Sequence, residues 1–159
     1  SQTCIQIFTD GSCIGNPGHG GYGVVILHKG ASGAVIKTRE LSGHVLMTTN
    51  NRMEMTAVCA ALEALGQVNE EPIAVFCDAT LIPNTMNGWL AKWKAKDWKK
   101  SDGKPVENRD LWERLEKAAE GRAVTWQWVR GHNGNEHNAR ADRLAYAASR
   151  KAERIAMSR

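Results

Sequence analysis

No apolar run in this 159-residue chain approaches the roughly 20 residues that a membrane-spanning helix requires, which argues against a protein that crosses a bilayer through helices. The first residues, SQTCIQIFTDG, lack a basic start followed by an apolar segment of the secretory kind, so the expectation is a cytoplasmic protein. None of the four cysteines (Cys4, Cys13, Cys59 and Cys77) stands in a CxxC pair, and all lie inside apolar segments. That pattern favours buried or free thiols over zinc ligands or a disulfide framework. Internal repeats and linker-like stretches are also missing, so residues 1–159 read as one domain, long enough to bury a full core. Hydrophobic residues at 42% and charged residues at 24% are ordinary for a globular chain. The net charge of +4 permits a polyanionic partner, but where the charge lies matters more than its sum.

Hydrophobic periodicity orders the chain. Residues 4–10 alternate with period two, and "GYGVVILHKG" and "GAVIKTRELSGHVL" read as two further strands separated by glycine turns. From Asn50 the period becomes helical, with Val58, Ala61, Leu62 and Leu65 on one stripe and Gly66 as the stop. "IAVFCD" is a continuous apolar run ending on Asp78, as expected for a strand buried on both faces of a parallel sheet. A helix follows over about residues 109–120, then a strand at "AVTWQWV", then a last helix from about Asn135. Three strands, helix, strand, helices, strand and helix predict an α/β fold with a mixed sheet covered by helices.

Four acids occupy positions where a solvated side chain is not the obvious reading. Asp10 shares a strand face with Phe8, although "DG" also suits a turn. Asp78 ends the buried strand, where open α/β sheets place their ligand crevices. Glu54 falls on the apolar stripe of its own helix; the plainer alternative is a capping box, Asn51-x-x-Glu54. Asp142 stands on the shoulder of the last helix's stripe, and a surface pair with Arg140 or Arg143 is its alternative. Two carboxylates about 4 Å apart repel by about 4 kcal/mol at an effective dielectric near 20, so four converging acids would need a cation to stay ionised. All-oxygen ligation without His or Cys suits Mg²⁺, with Mn²⁺ able to substitute, and points to phosphoryl chemistry.

Four segments, "IFTDGSCIGNPGHGGYG", "TTNNRMEM", "FCDAT" and "WVRGHNGNEHNARADRLA", occur in the order and spacing of type 1 ribonuclease H, and the chain resembles that family, in its bacterial form, over nearly its whole length. The resemblance implies a five-stranded mixed sheet flanked by helices, with strands 1–3 antiparallel and strands 4 and 5 parallel to strand 1. It implies an endonuclease that hydrolyses the RNA strand of RNA/DNA hybrids and leaves 5′-phosphate and 3′-hydroxyl ends. By the same resemblance Asp10, Glu54, Asp78 and Asp142 are the metal-binding carboxylates of a two-Mg²⁺ site, and His132 in "RGHNGN" assists proton transfer or product release. Cys13, Asn16 and Asn50 correspond to positions along the RNA, Thr49 and Asn108 to a pocket for a DNA phosphate, and Arg52 and Trp89 are further nucleic-acid contacts. Six glycines between Gly11 and Gly23 would let the main chain approach the hybrid's minor groove. The same stretch contains Gly18-x-Gly20-x-x-Gly23, but a strand-like "VVIL" follows where a dinucleotide site needs a helix. The implied protein is a monomer with no obligate protein partner.

Residues 89–104, "WLAKWKAKDWKKSDGK", hold six lysines against two aspartates, interleaved with Trp89, Trp93 and Trp98. The tryptophans can pack on one another or on the core; the lysines cannot all do so. The family carries a basic protrusion here, which makes Lys94, Lys96, Lys99 and Lys100 candidate phosphate contacts for the DNA strand. The chain departs from the family at Ala79, Thr80 and Leu81 after Asp78, at Ala139 before Asp142, and at Met47 near the phosphate pocket. The rival readings are a catalytically silent hybrid-binding module and another nuclease of the same fold.

Overall fold

The computed structural model of the chain describes residues 2–130 and 135–158. Five strands, β1 (Cys4–Ile14), β2 (Gly18–Lys29), β3 (Val35–Thr48), β4 (Ile73–Cys77) and β5 (Val124–Trp128), form one sheet in the order β3-β2-β1-β4-β5. β1 runs antiparallel to β2 and β2 to β3, whereas β4 is parallel to β1 and β5 to β4. The mixed sheet expected from the alternation and the apolar runs is the sheet that forms. β1 lies at its centre, and both of its faces are buried: Ile5 and Ile7 enter the larger core, while Phe8 enters a smaller one.

Helix α1 (Asn50–Ala64) and helix α4 (Arg109–Ala119) contribute Val58, Leu62, Leu111, Trp112 and Leu115 to the larger core. Full burial of a leucine such as Leu62 or Leu115 contributes roughly 1.5–3 kcal/mol. Gly66, with φ of +74°, ends α1 as its spacing suggested, because the left-handed turn there disfavours any side chain. Between β4 and α4 the chain forms α2 (Leu81–Asn84), a π-helical turn (Thr85–Trp89) and α3 (Leu90–Ala95). The Leu90 N–H donates to Thr85 O, the bond that widens the turn.

Helix α5 (Glu136–Met157) covers the opposite face of the sheet. Its buried side chains are small, chiefly Ala141, Ala145, Ala148 and Ala152, so its backbone lies very close to β2. This closeness supplies an internal reason for the glycine stretch. A Cβ on Gly23 would run into Ala141 O and lie 2.8 Å from Ala145 N, and one on Gly11 would lie 2.5 Å from Glu54 N on α1. The glycines let two helices seat against the sheet, a role distinct from the approach to nucleic acid expected of them. All four cysteines are free thiols, and burial pushes those of Cys59 and Cys77 up to about 12. Among the described residues, no helix is long and apolar enough to cross a membrane.

Candidate active site

The site grows from three segments, β1, α1 and the residue after β4, that the fold brings to one edge of the sheet. Asp10 lies near the end of β1's apolar alternation and is 6% exposed, opposite Gly23 of β2, with its Oδ1 accepting from the Gly11 N–H at 2.8 Å. Asp78 follows directly on β4, one residue past the last ladder pair, Cys77 with Trp128. Glu54 is carried in on α1. The capping box suggested as its alternative is not what starts that helix: Thr49 is the N-cap, and its hydroxyl accepts from the Arg52 N–H at 3.2 Å. Glu54 is thereby released to face the sheet edge.

One carboxylate oxygen from each of Asp10, Glu54 and Asp78 lies within 4.8 Å of the others. Asp142 joins them from the first half of α5 through a hydrogen bond between its carboxyl and that of Asp10. Arg140, one of the two arginines foreseen as surface partners of Asp142, makes a two-pronged bond to Glu40 of β3, at 2.7 and 2.9 Å. Burial, then the charge of Asp78 and the hydrogen bond to Asp142, push Asp10 from 3.8 up to about 8, against a smaller downward pull from the Gly11 N–H. Burial and Asp78 likewise push Glu54 from 4.5 up to about 7. Carboxylates this close repel one another when ionised, and an oxygen-preferring divalent ion fits the donor set.

Beside the acids, the first turn of α1 meets the start of α4. Arg52 Nη1 donates to Asn108 Oδ1 at 3.1 Å, and the Arg52 guanidinium makes a two-pronged bond to Asp110 at 3.0 and 2.8 Å. The Asn50 N–H donates to Asn16 Oδ1 at 3.1 Å, and Cys13 Sγ lies 3.4 Å from Thr48 O. Cys13, Asn16, Thr49, Asn50, Arg52 and Asn108 therefore gather around the head of α1. A cavity of about 200 Å³, lined among others by Asn51, Trp89, Lys100 and Asn108, connects this group to the basic segment.

In that segment Trp89, Trp93 and Trp112 form a chain of tilted rings, with centroids 6.2 and 5.9 Å apart, that roots it in the core. The packing alternative therefore holds: Trp93 and Trp98 meet the larger core, and Trp89 leans on Trp93 while remaining substantially exposed. Trp89, Lys92, Trp93, Lys96, Lys99 and Lys100 line a groove of about 400 Å³. Lys94 does not line it; its ammonium pairs with Glu116 of α4 at 2.5 Å. Lys100 lies 3.6 Å from Glu107. His132 lies outside the described residues. Sequence reasoning missed two contacts: Asp110 as the partner of Arg52, and Trp128, whose indole N–H donates to Asp78 O at 3.0 Å. Only the aromatic alternation of "TWQW" hinted at the second.

A mixed sheet with carboxylates from two strands and two helices collected at one edge defines a class of proteins that hold divalent cations for phosphoryl chemistry. The chain belongs to the RNase H family, whose model matches residues 2–150. It is 46% identical over 143 residues to a ribonuclease H of Cereibacter sphaeroides, covering 90% of this chain and 93% of the relative. It is 47% identical over 147 residues to a ribonuclease HI of Shewanella oneidensis, covering 91% and 87%. Among solved structures it is similar to LC9-RNase H1, described as a type 1 RNase H with the type 2 active-site motif (TM-score 0.84, 32% identity, 96% of this chain and 74% of that one). It is also similar to LC11-RNase H1 in complex with an RNA/DNA hybrid (TM-score 0.70, 30% identity, 93% and 98%).

Proposed function

We propose that residues 1–159 act as a single, monomeric ribonuclease H domain, an endonuclease that hydrolyses the RNA strand of RNA/DNA hybrids with Mg²⁺ and leaves 5′-phosphate and 3′-hydroxyl ends. The observation that carries this reading is the convergence of Asp10, Glu54 and Asp78 within 4.8 Å, with Asp142 bonded to Asp10. Family membership and the hybrid bound by LC11-RNase H1 support the choice of substrate. The four carboxylates would hold the divalent ions, two in the fullest form of the mechanism. When bound, these ions supply an activated water and stabilise the leaving 3′ oxygen.

The remaining work falls to the protein's own groups. Asp10 and Glu54, held above the usual carboxylate range while protonated, must give up protons for cations to bind, so occupancy of the site rises with pH toward 8. Cys13, Asn16 and Asn50 line the RNA side, while Thr49, Arg52 and Asn108 receive a DNA phosphate at the head of α1, where helix N–H groups favour an anion. Trp89, Lys94, Lys96, Lys99 and Lys100 extend that grip along the DNA strand, and His132 assists proton transfer or product release. A cytoplasmic setting suits such a substrate.

One gel tests the reading: a labelled hybrid beside duplex DNA, duplex RNA and single strands, each with Mg²⁺ or EDTA. Cleavage confined to the RNA of the hybrid, and lost with EDTA, is the expected result. Tight hybrid binding without cleavage would make the protein a silent binding module instead.

A further inference from the structure

We propose that Trp128 is a positioning residue for the cation site: its indole N–H holds the main chain of Asp78 and thereby aims the Asp78 carboxylate at the ion. The inference rests on the metal-binding reading above. Trp128 is the last residue of β5 and stands in register with Cys77, the last residue of β4. Beyond that pair the ladder ends, and the chain bends through residues 78–80 toward α2. Two bonds from the end of β5 and the residue after it hold the end of β4 and the residue that follows it. The Val129 N–H donates to Cys77 O at 2.8 Å, and Trp128 Nε1 donates to Asp78 O at 3.0 Å, one residue further on. The side chain thus adds a rung one residue beyond the last ladder pair.

Packing alone does not account for this tryptophan. Trp126, two residues earlier on the same face of β5, packs against the larger core, whereas Trp128 is 47% exposed, with the Arg130 guanidinium 5.9 Å from its ring centroid. What Trp128 delivers is a directed donor at a residue whose carboxylate must hold its place. Asp78 is also the acid whose charge acts on both Asp10 and Glu54, so a shift of its main chain changes the cluster as a whole. Changing a group that bonds a metal-ligating side chain from behind commonly costs about 10–100-fold in affinity, and a smaller loss is expected of one that holds only the ligand's main chain.

The test is Trp128→Phe, which keeps an aromatic ring and removes the donor. Mn²⁺ alone is titrated calorimetrically into the wild type and the variant, and both are melted in EDTA. The expected result is Mn²⁺ binding about three- to tenfold weaker in W128F, with melting temperatures in EDTA within about 2 °C of each other. Trp128→His, whose ring retains an N–H donor, should bind closer to wild type than W128F does. Equal affinity for Mn²⁺ in wild type and W128F overturns the inference, and so does a lowered melting temperature with affinity unchanged, which marks a purely structural role. Absence of Mn²⁺ binding in the wild type would instead remove the metal-binding reading on which the inference stands.

Discussion

Asp10 shows what burial does to an acid at the end of a central strand. Its pKa in the folded protein, about 8, lies far above the ordinary 3.8, so without a divalent ion the folded state holds the proton more tightly than the unfolded chain. Stability present below about pH 4 is therefore lost progressively as pH rises toward 8. Asp10→Asn removes the ionisation and keeps the shape. In EDTA at pH 8 it should stabilise the protein by about 1–3 kcal/mol, a rise in Tm of about 2–12 °C that shrinks to nothing near pH 4, as thermal melts across pH will show. The same variant should lower kcat by about a hundredfold or more in Mg²⁺. Wild-type turnover, or a Tm gain independent of pH, would contradict this account of the residue. Placing Asp10 on the Phe8 face was legible from the alternation, but its degree of burial depends on β2, β4 and α5 closing round it.

Helix α1 carries both parts of the site on one short stretch. Its cap is Thr49, its second turn presents Glu54, and between them Arg52 reaches Asn108, the residue just before α4. The helix and its stop at Gly66 could be read from spacing, whereas the choice between capping and ligation at Glu54 could not. Both use the same residue types at the same interval, and only the neighbouring Asp10 and Asp78 discriminate. The segment from α2 to α3 tells a similar story. Its lysine count was plain, but α4 sets one lysine apart by pairing Lys94 with Glu116. Neutralising Lys96, Lys99 and Lys100 together is expected to raise KM severalfold and to flatten its dependence on salt, with kcat little changed; adding Lys94→Ala should contribute less than any of the three. Steady-state cleavage at several salt concentrations measures both effects, and an unaltered salt slope would show the segment to be merely solvated.

At the scale of the molecule, the decisive fit is α5 against the sheet. Alanines on the helix and glycines on β2 let the two backbones come close enough for Asp142 to bond Asp10. Gly23→Ala should cost about 2–4 kcal/mol in urea denaturation, because the added methyl meets the α5 backbone, which gives way only by displacing the helix. The variant should also lose more activity than its remaining folded fraction explains, since a displaced α5 carries Asp142 with it. A loss of activity that merely tracks the folded fraction would disconnect the packing from the site.

Strand and helix types, their order and the four acids with their family likeness were all decided by the sequence alone, because periodicity and motif spacing are local properties of a chain. Tertiary structure decided which acids share a volume, why Gly11 and Gly23 tolerate no side chain, which charges pair, and that Trp128 braces Asp78. These depend on distances between segments far apart in the chain, such as the 50 residues separating Asp78 from Trp128, and such distances come into being only when the sheet assembles.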